Sequence, residues 1–295
     1  MKISVVLSTQ AARFQAVAFK GDFEANVAKI AGWGYDGVEL AIRDPKLVPG
    51  GADELLRVVS AHGLEVPAIG TGQAWGEEGL SFTDPDPAIR AAAIERVKSH
   101  FPLAAQFSAA RRDASGAGGT VIIIGLVRGL VKAGVDHAQA MDWLVAALQQ
   151  CCATAAPYGV RLALEPICRY ETTLVNNLAQ GLDLLERVGA DNMGLMPDTF
   201  HMNIEEPVIE DSIRACGDRI FHFHAADSNR WYPGAGHLDF RSILNALFAT
   251  GYQGYVSGEF MPLPDADGSA QRGIAHLRQT KLQSAGAAKG NGAVR

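Results

Sequence analysis

The chain has 295 residues, 48% hydrophobic and 20% charged, and a net charge of −6, which fits a soluble α/β enzyme of barrel size and argues against a general binder of nucleic-acid phosphates. It has no run of about 20 apolar residues to span a membrane, and Met1–Leu7 goes straight into a strand-like run without the pattern of a signal peptide. Four cysteines are too few for a disulfide scaffold, so a reduced, cytoplasmic setting is expected.

In chain order, strand-like and helix-like segments alternate. A strand is expected at 3–7 and a helix at 23–33, stopped by Gly34. A second strand at 37–40 precedes a helix at 53–62, and a third strand follows at 65–70. A long helix at 86–108 lies behind Thr83 or Asp84 as cap, and Pro102 should kink or end it. A fourth strand at 120–125 and a helix at 136–158 come next. Four apolar runs then end at 164, 197, 223 and 258, with helices at 177–188, 209–216 and 241–250 between them. Short apolar runs of this kind read as buried parallel strands. Eight alternations predict a closed (β/α)8 TIM barrel over residues 1–283. An open doubly wound sheet is the alternative, but no Gly-x-Gly-x-x-Gly turn follows the first strand. Residues 109–119 are Gly-rich and polar, and are expected as a surface loop away from the site. Residues 284–295 are expected as a flexible tail.

Glu165, Asp198, His224 and Glu259 each stand at the end of one of the last four runs. Barrel strand ends converge on one face, and active sites are built there. Three carboxylates and one imidazole suit Mn²⁺, Co²⁺ or Mg²⁺ better than structural zinc. Such an ion polarises a carbonyl, and carboxylates on either side of a carbon can take and return its proton. Each residue alone has a plainer reading. An acid after a strand is most often solvated or a helix cap, as Asp198 before Thr199 would be. His222 and His224 share one strand face, and only the latter lies near enough to the strand end to ligate. Glu39 is expected behind the ligands or at the substrate. Four such residues on four successive strands are much less common by chance than any one of them.

At these positions the chain resembles the ketose 3-epimerases of the xylose isomerase-like barrels. The resemblance is carried by the segments beginning Glu165–Pro166–Ile167–Cys168–Arg169–Tyr170–Glu171 and Asp198–Thr199–Phe200–His201, and by His222–Phe223–His224 with Asn229–Arg230. Arg43–Asp44–Pro45, Gly70–Thr71–Gly72–Gln73–Ala74, Ile123 to Gly129 and Pro262–Leu263–Pro264 make it most similar to the 5-keto-L-gluconate epimerase branch. It spans the first strand to about Arg278. It implies Glu165, Asp198, His224 and Glu259 as ligands of a divalent metal, most often Mn²⁺, with Glu165 and Glu259 also the acid/base pair. It implies Glu171, His201 and Arg230 around the substrate, a small sugar or sugar acid as partner, and a homodimer or homotetramer. Cys168 replaces the usual Asn and Pro197 the usual aliphatic residue. Gln73, and Arg128 just beyond the fourth strand, are further substrate candidates. Arg128 and Arg43 suggest a keto-sugar acid, since arginine pairs bidentately with carboxylate, although loop acids such as Glu39, Asp44 or Glu77 would neutralise them equally well. The other readings are an aldose–ketose isomerase such as hydroxypyruvate isomerase, an endonuclease IV-like repair protein, and an inactive sugar-binding barrel. The repair protein needs more histidines and a basic groove.

Overall fold

A computed structural model describes residues 2–111 and 119–290, with side chains described through residue 280. The apolar runs become eight strands, β1 (Lys2–Ser8), β2 (Gly37–Ala41), β3 (Ala68–Gly70), β4 (Val121–Ile124), β5 (Arg161–Leu164), β6 (Met193–Leu195), β7 (Phe223–Ala225) and β8 (Tyr255–Gly258). They pair in the order β6-β5-β4-β3-β2-β1-β8-β7, each pair parallel. β6 and β7 meet through isolated parallel bridges, Leu195 with Ile220 and Asp198 with His224. Phe221 N–H donates to Leu195 O at 2.9 Å and His224 N–H to Pro197 O at 2.8 Å. The sheet therefore closes, and the expected (β/α)8 barrel stands rather than the open sheet. A two-residue strand, Phe19–Lys20, pairs beside β1.

The period-2 alternation of the strands divides the core. On β4 and β5, Ile122, Ile124, Leu162 and Leu164 belong to the large shell between sheet and helices. Val121, Ile123 and Ala163 form a separate cluster with Ala68 and Met196 inside the barrel. Burying one such Ile or Leu contributes roughly 1.5–3 kcal/mol, so strand register is fixed on both faces at once. Pro197 is tolerated because it lies just beyond β6, where only its carbonyl is needed for pairing.

The helices are α1 (Phe23–Gly32), α2 (Gly51–Ala61), α3 (Gln73–Glu78), α4 (Pro87–Lys98), α5 (Phe101–Ala109), α6 (His137–Ala155), α7 (Leu178–Val188), α8 (Thr199–Glu205), α9 (Ile209–Cys216), α10 (Phe240–Ala249) and α11 (Ala266–Gly290). Asp22, Asp86, Asp136, Asn177, Asp198 and Asp239 cap α1, α4, α6, α7, α8 and α10, each side chain accepting a backbone N–H of the first turn. The cap of α4 is thus Asp86, not Thr83 or Asp84. Asp84 Oδ1 accepts the Asp86 N–H at 2.9 Å and shapes the turn before the cap. The expected helix at 86–108 is two helices, and Pro102 sits in the first turn of the second, where its missing N–H costs nothing. β3 begins at Ala68 rather than 65, because Glu65 makes only a bridge to Gly37. The sequence reading omits the short helices α3 and α8, and both cover the mouth of the barrel. Of the Gly-rich loop around Ser115, residues 112–118 lie outside the described residues. The tail expected from 284 begins within α11, whose backbone runs to Gly290, and residues 291–295 lie outside the described residues. Among the described residues, no helix is long and apolar enough to cross a membrane.

Candidate functional site

Glu165 directly follows β5. Its N–H donates to Ile124 O at 3.1 Å, so the strand ladder aims its side chain over the barrel mouth. Gly125 faces it, and a Cβ there would stand 3.0 Å from Glu165 Oε2, tight enough to press on the carboxylate. Asp198 stands three residues past β6. Its Oδ1 accepts the Phe200 N–H at 2.8 Å, so the helix-cap reading of this residue holds. Its Oδ2 is buried without a hydrogen-bond partner. One carboxylate therefore caps α8 with one oxygen and offers the other to the site.

His224 sits within β7. Its Nε2 lies 3.0 Å from Glu39 Oε1, and His222 Nε2 lies 2.7 Å from Glu39 Oε2. Glu39, from β2, is 1% exposed, so both strand-face histidines converge on one buried carboxylate. Glu39 thus stands behind His224 and also reaches the cavity wall. An Nε2–H given to Glu39 leaves the lone pair on His224 Nδ1. Nδ1 has no hydrogen-bond partner and lies 4.0 Å from Asp198 Oδ2 and 3.9 Å from Glu259 Oε2. One donor atom from each of Glu165, Asp198, His224 and Glu259 lies within 4.8 Å of the other three.

The electrostatics describe a cluster short of positive charge. Burial raises the pKa of Glu165 well above the carboxylate range, and Glu259 and Asp198 push it further. Burial also raises Glu259, to about 7, although His224 and Arg230 pull against it. Asp198 is raised by burial in the same way. Burial lowers His224, but Glu39, Glu259 and Glu165 outweigh that and push it up to about 10. Buried carboxylates that hold protons, beside an imidazole that attracts one, occupy a place a divalent cation would fill. Two orphaned buried donors and a three-oxygen, one-nitrogen set fit such an ion.

Around this cluster, His201 Nδ1 accepts the Cys168 N–H at 3.3 Å. That fixes the proton on Nε2, which faces Glu165 Oε1 at 3.6 Å. Burial and then the Arg230 charge hold His201 well below its ordinary pKa, so it is a neutral donor. Arg230 Nη1 donates to Glu171 Oε1 at 2.6 Å, and its Nη2 lies 3.6 Å from Glu259 Oε2. The guanidinium is flanked by the rings of Phe200 and Phe14, at 4.7 and 5.1 Å. Its backbone is left-handed, with φ of 61°, a strained setting for a side-chain-bearing residue. It is held there by Arg230 N–H to Asp227 O and Met261 N–H to Arg230 O, both 2.8 Å. Gln73 opens α3 and donates to Ser8 Oγ at 2.8 Å, while its Oε1 has no partner.

A cavity of about 320 Å³ opens onto the cluster, and Glu165, Glu171, His201, His224, Arg230, Glu259 and Gln73 all reach its wall. Arg128 does not line it. The short turn Leu126–Arg128 folds it inward, and it is completely buried with Nη1 donating to Glu165 O. Nor does Arg43 line it; its Nε lies 3.3 Å from Glu78 Oε1. Arg13, Phe14 and Trp75, which the sequence does not mark as site residues, form the outer wall with Glu77, expected only as a partner for Arg128 or Arg43. Arg13 Nε lies 3.1 Å from Glu77 Oε2, and its Nη2 donates to Gly76 O at 2.8 Å. These residues lie in a loop and a six-residue helix, where no periodic pattern marks them.

Comparison with known proteins agrees with this geometry. Residues 27–280 match the family described as xylose isomerase-like TIM barrel. An L-ribulose 3-epimerase of Mesorhizobium japonicum is 32% identical over 252 residues, 83% of this chain and 78% of that protein. A D-psicose 3-epimerase of Ruminiclostridium cellulolyticum is 30% identical over 246 residues, 81% of this chain and 78% of that protein. A solved L-ribulose 3-epimerase structure superposes with a TM-score of 0.83 at 26% identity, covering 100% of this chain and 98% of that one. The chain therefore belongs to the xylose isomerase-like TIM barrel family, and is a sugar epimerase related to the ketose 3-epimerases.

Proposed function

We propose that the chain is a divalent-metal-dependent ketose 3-epimerase acting on a neutral ketose. The observation that carries the reading is the cluster of Glu165, Asp198, His224 and Glu259, with Asp198 Oδ2 and His224 Nδ1 buried and unpaired. These four residues would hold the ion, which when bound supplies a fixed positive charge that polarises a ketose carbonyl and offsets the negative charge developing on its oxygen. Glu39 orients the His224 ring and keeps its proton on Nε2, as carboxylate partners of metal-binding histidines do.

Glu165 and Glu259 divide the proton work. One, ionised, takes the proton from C3, and the electron pair moves toward the C2 carbonyl to give an enediolate. The other, protonated, returns a proton to the opposite face of C3. The first then holds a proton and the second does not, so the pair is set for the reverse reaction. Elevated carboxylate pKa values suit this exchange. His201 Nε2–H and the Arg230 guanidinium serve as donors to substrate oxygens beside the reacting carbon, and Glu171 fixes Arg230.

Of the arginines that suggest a sugar acid, Arg128 and Arg43 lie off the cavity wall, and Arg230, the weaker discriminator, lines it. The cations that do line it, Arg230 and Arg13, each face carboxylates, Glu171 and Glu259 for one and Glu77 for the other. A carboxylate substrate would have to compete with these anions, whereas a neutral ketose would not. L-ribulose and D-psicose, named for the relatives, are neutral.

The test is proton exchange in D₂O on a panel of L-ribulose, D-psicose, D-fructose, D-tagatose, 5-keto-L-gluconate and hydroxypyruvate. Deuterium at C3 of a neutral ketose, with the 3-epimer formed, is the expected result. Label at C1 or C2 alone would assign an aldose–ketose isomerase instead. Faster turnover of the acid would restore the sugar-acid reading.

A further inference from the structure

Arg128 is a guanidinium with no access to solvent, and a buried charge is costly unless it is paired and hydrogen-bonded. Its Nη1 donates to the backbone carbonyl of Glu165. Its Nε and Nη2 have no hydrogen-bond partner among the described residues. The positive charge is therefore not cancelled by a carboxylate in direct contact with those atoms.

The place of the contact is informative. β5 leaves its pairing with β6 at Leu164, whose carbonyl accepts the Met196 N–H at 2.7 Å. The next carbonyl, of Glu165, is past the ladder, and Pro166 follows it. Arg128 supplies the donor there, reaching across from the segment after β4. The last residue of β4, directly before that segment, accepts the Glu165 N–H through Ile124 O at 3.1 Å. Thr172, beyond Glu165, is tied back to the end of that segment through Thr172 Oγ1 to Gly129 O at 3.0 Å. The peptide groups on both sides of the Glu165 Cα are thus held by β4 and the segment after it, and Gly125 leaves its carboxylate room.

We propose that Arg128 is a positioning residue for Glu165, clamping its carbonyl so that the carboxylate is aimed at the cluster, and setting a positive charge behind carboxylates that repel one another. The inference rests on the proposed epimerase reading for its kinetic test and on geometry alone for its spectroscopic one. Arg128 does not line the cavity, so it acts through Glu165 and not on substrate.

The experiment compares wild type with Arg128→Lys, Arg128→Gln and Arg128→Met. Each is measured for kcat and KM on the best ketose of the D₂O panel, for visible absorption of the Co²⁺-loaded protein, and for thermal unfolding. Loss of a residue that orients a metal ligand typically costs about 10–100-fold. Arg128→Met should lose about 10–100-fold in kcat, with KM within about threefold of wild type. Its Co²⁺ bands should shift, and Arg128→Lys, which keeps charge and one donor, should recover most of the rate. If Arg128→Met does not fold, the ranking of Lys above Gln in kcat and in Co²⁺ spectrum carries the test. A rise in KM at constant kcat would make Arg128 a substrate reader and overturn the proposal. Unchanged Co²⁺ bands and kcat in variants of lowered melting temperature would reduce it to a packing residue. A wild type inactive on every ketose would overturn the functional reading instead, leaving the Co²⁺ comparison to decide on Arg128.

Discussion

The deep end of the cavity and its mouth are built by different means. At the deep end, Glu39, Glu165, Asp198 and His224 come from strands or their immediate ends. Each is at most 7% exposed, and each is fixed by a neighbour on the barrel. At the mouth, Arg13 and Phe14 come from the loop after β1, and Trp75 and Glu77 from the six-residue α3. The Arg13 side chain is 77% exposed, and its partner Glu77 lies 64 residues away in the short helix α3. Deep charges interact through little solvent, so changing one disturbs the rest. Charges at the mouth are screened, and pairs of that kind are worth about 0.2–1 kcal/mol. The contrast teaches that chemistry should be fragile to single substitutions and substrate choice tolerant of them.

The largest effect should come from removing the ion. Exhaustive chelation, checked by elemental analysis, should abolish turnover, and Mn²⁺ or Co²⁺ should restore it better than Ca²⁺. Calcium favours about six to eight oxygens, while this cluster offers three carboxylates and an imidazole. Full activity in protein shown to be metal-free would detach the cluster from the reaction. Next come Glu165→Gln and Glu259→Gln, each expected to lower kcat by about 10²–10⁴-fold with the fold kept, as judged by circular dichroism. Gln preserves shape but carries no transferable proton, so near-wild-type rates in either metal-saturated variant would move the acid/base pair elsewhere.

A smaller effect is expected one layer further back. Glu39→Gln keeps one acceptor oxygen, puts an NH2 donor where the other stood, and removes the buried charge that both imidazoles share. Metal affinity, measured by titration with Mn²⁺, should weaken by about 10–100-fold. If affinity is unchanged, Glu39 serves the barrel interior and not the ligand set.

How far the sequence reveals this division depends on the same physics. The strands that carry the cluster are legible because a barrel strand must be a short apolar run, and a charged residue at its end has one face to point to. Glu39 is legible as a supporting carboxylate because β2 places it within the apolar strand itself. Arg128 is placed at the right end of the barrel by its position after β4, but its direction is set by a three-residue turn ending at Gly129, with φ of 87°. Nothing in the residue pattern distinguishes a guanidinium facing the cavity from one folded beneath it. The Asp86 cap was displaced by two residues for a similar reason, since Asp84 and Asp86 are both competent and the turn between them decides. Arg13 and Glu77 meet only in three dimensions. Asp198 shows that two readings need not exclude each other, for it caps α8 and faces the cluster with different oxygens.

The smallest expected effect tests the mouth directly, and with it the preference for a neutral substrate. Glu77 neutralises Arg13 at the cavity rim: its Oε1 accepts the Arg13 N–H at 2.7 Å, and its Oε2 lies 3.1 Å from Arg13 Nε. The Arg13 backbone N–H holds Glu77 below its ordinary pKa, and the guanidinium charge adds to this, so near neutrality the carboxylate is ionised and the pair is intact. Glu77→Gln removes the anion, keeps an acceptor for that N–H, and leaves a cation facing the cavity. A sugar acid would then meet an arginine free to pair with it. Because the site is exposed, the gain should be modest. The increase in kcat/KM for 5-keto-L-gluconate relative to a neutral ketose should be no more than about fivefold, as solvent screens an exposed pair of this kind. The neutral ketose should change by less than about twofold, since neither Arg13 nor Glu77 belongs to the deep cluster. The gain should shrink as ionic strength rises, because exposed charges are screened over roughly 8–10 Å at physiological salt. The measurement is a ratio of kcat/KM for the two substrates, in wild type and Glu77→Gln, at low and high salt. A loss of neutral-ketose turnover as large as that of Glu165→Gln would show that the mouth is part of the chemistry, and the division between the two ends would fail.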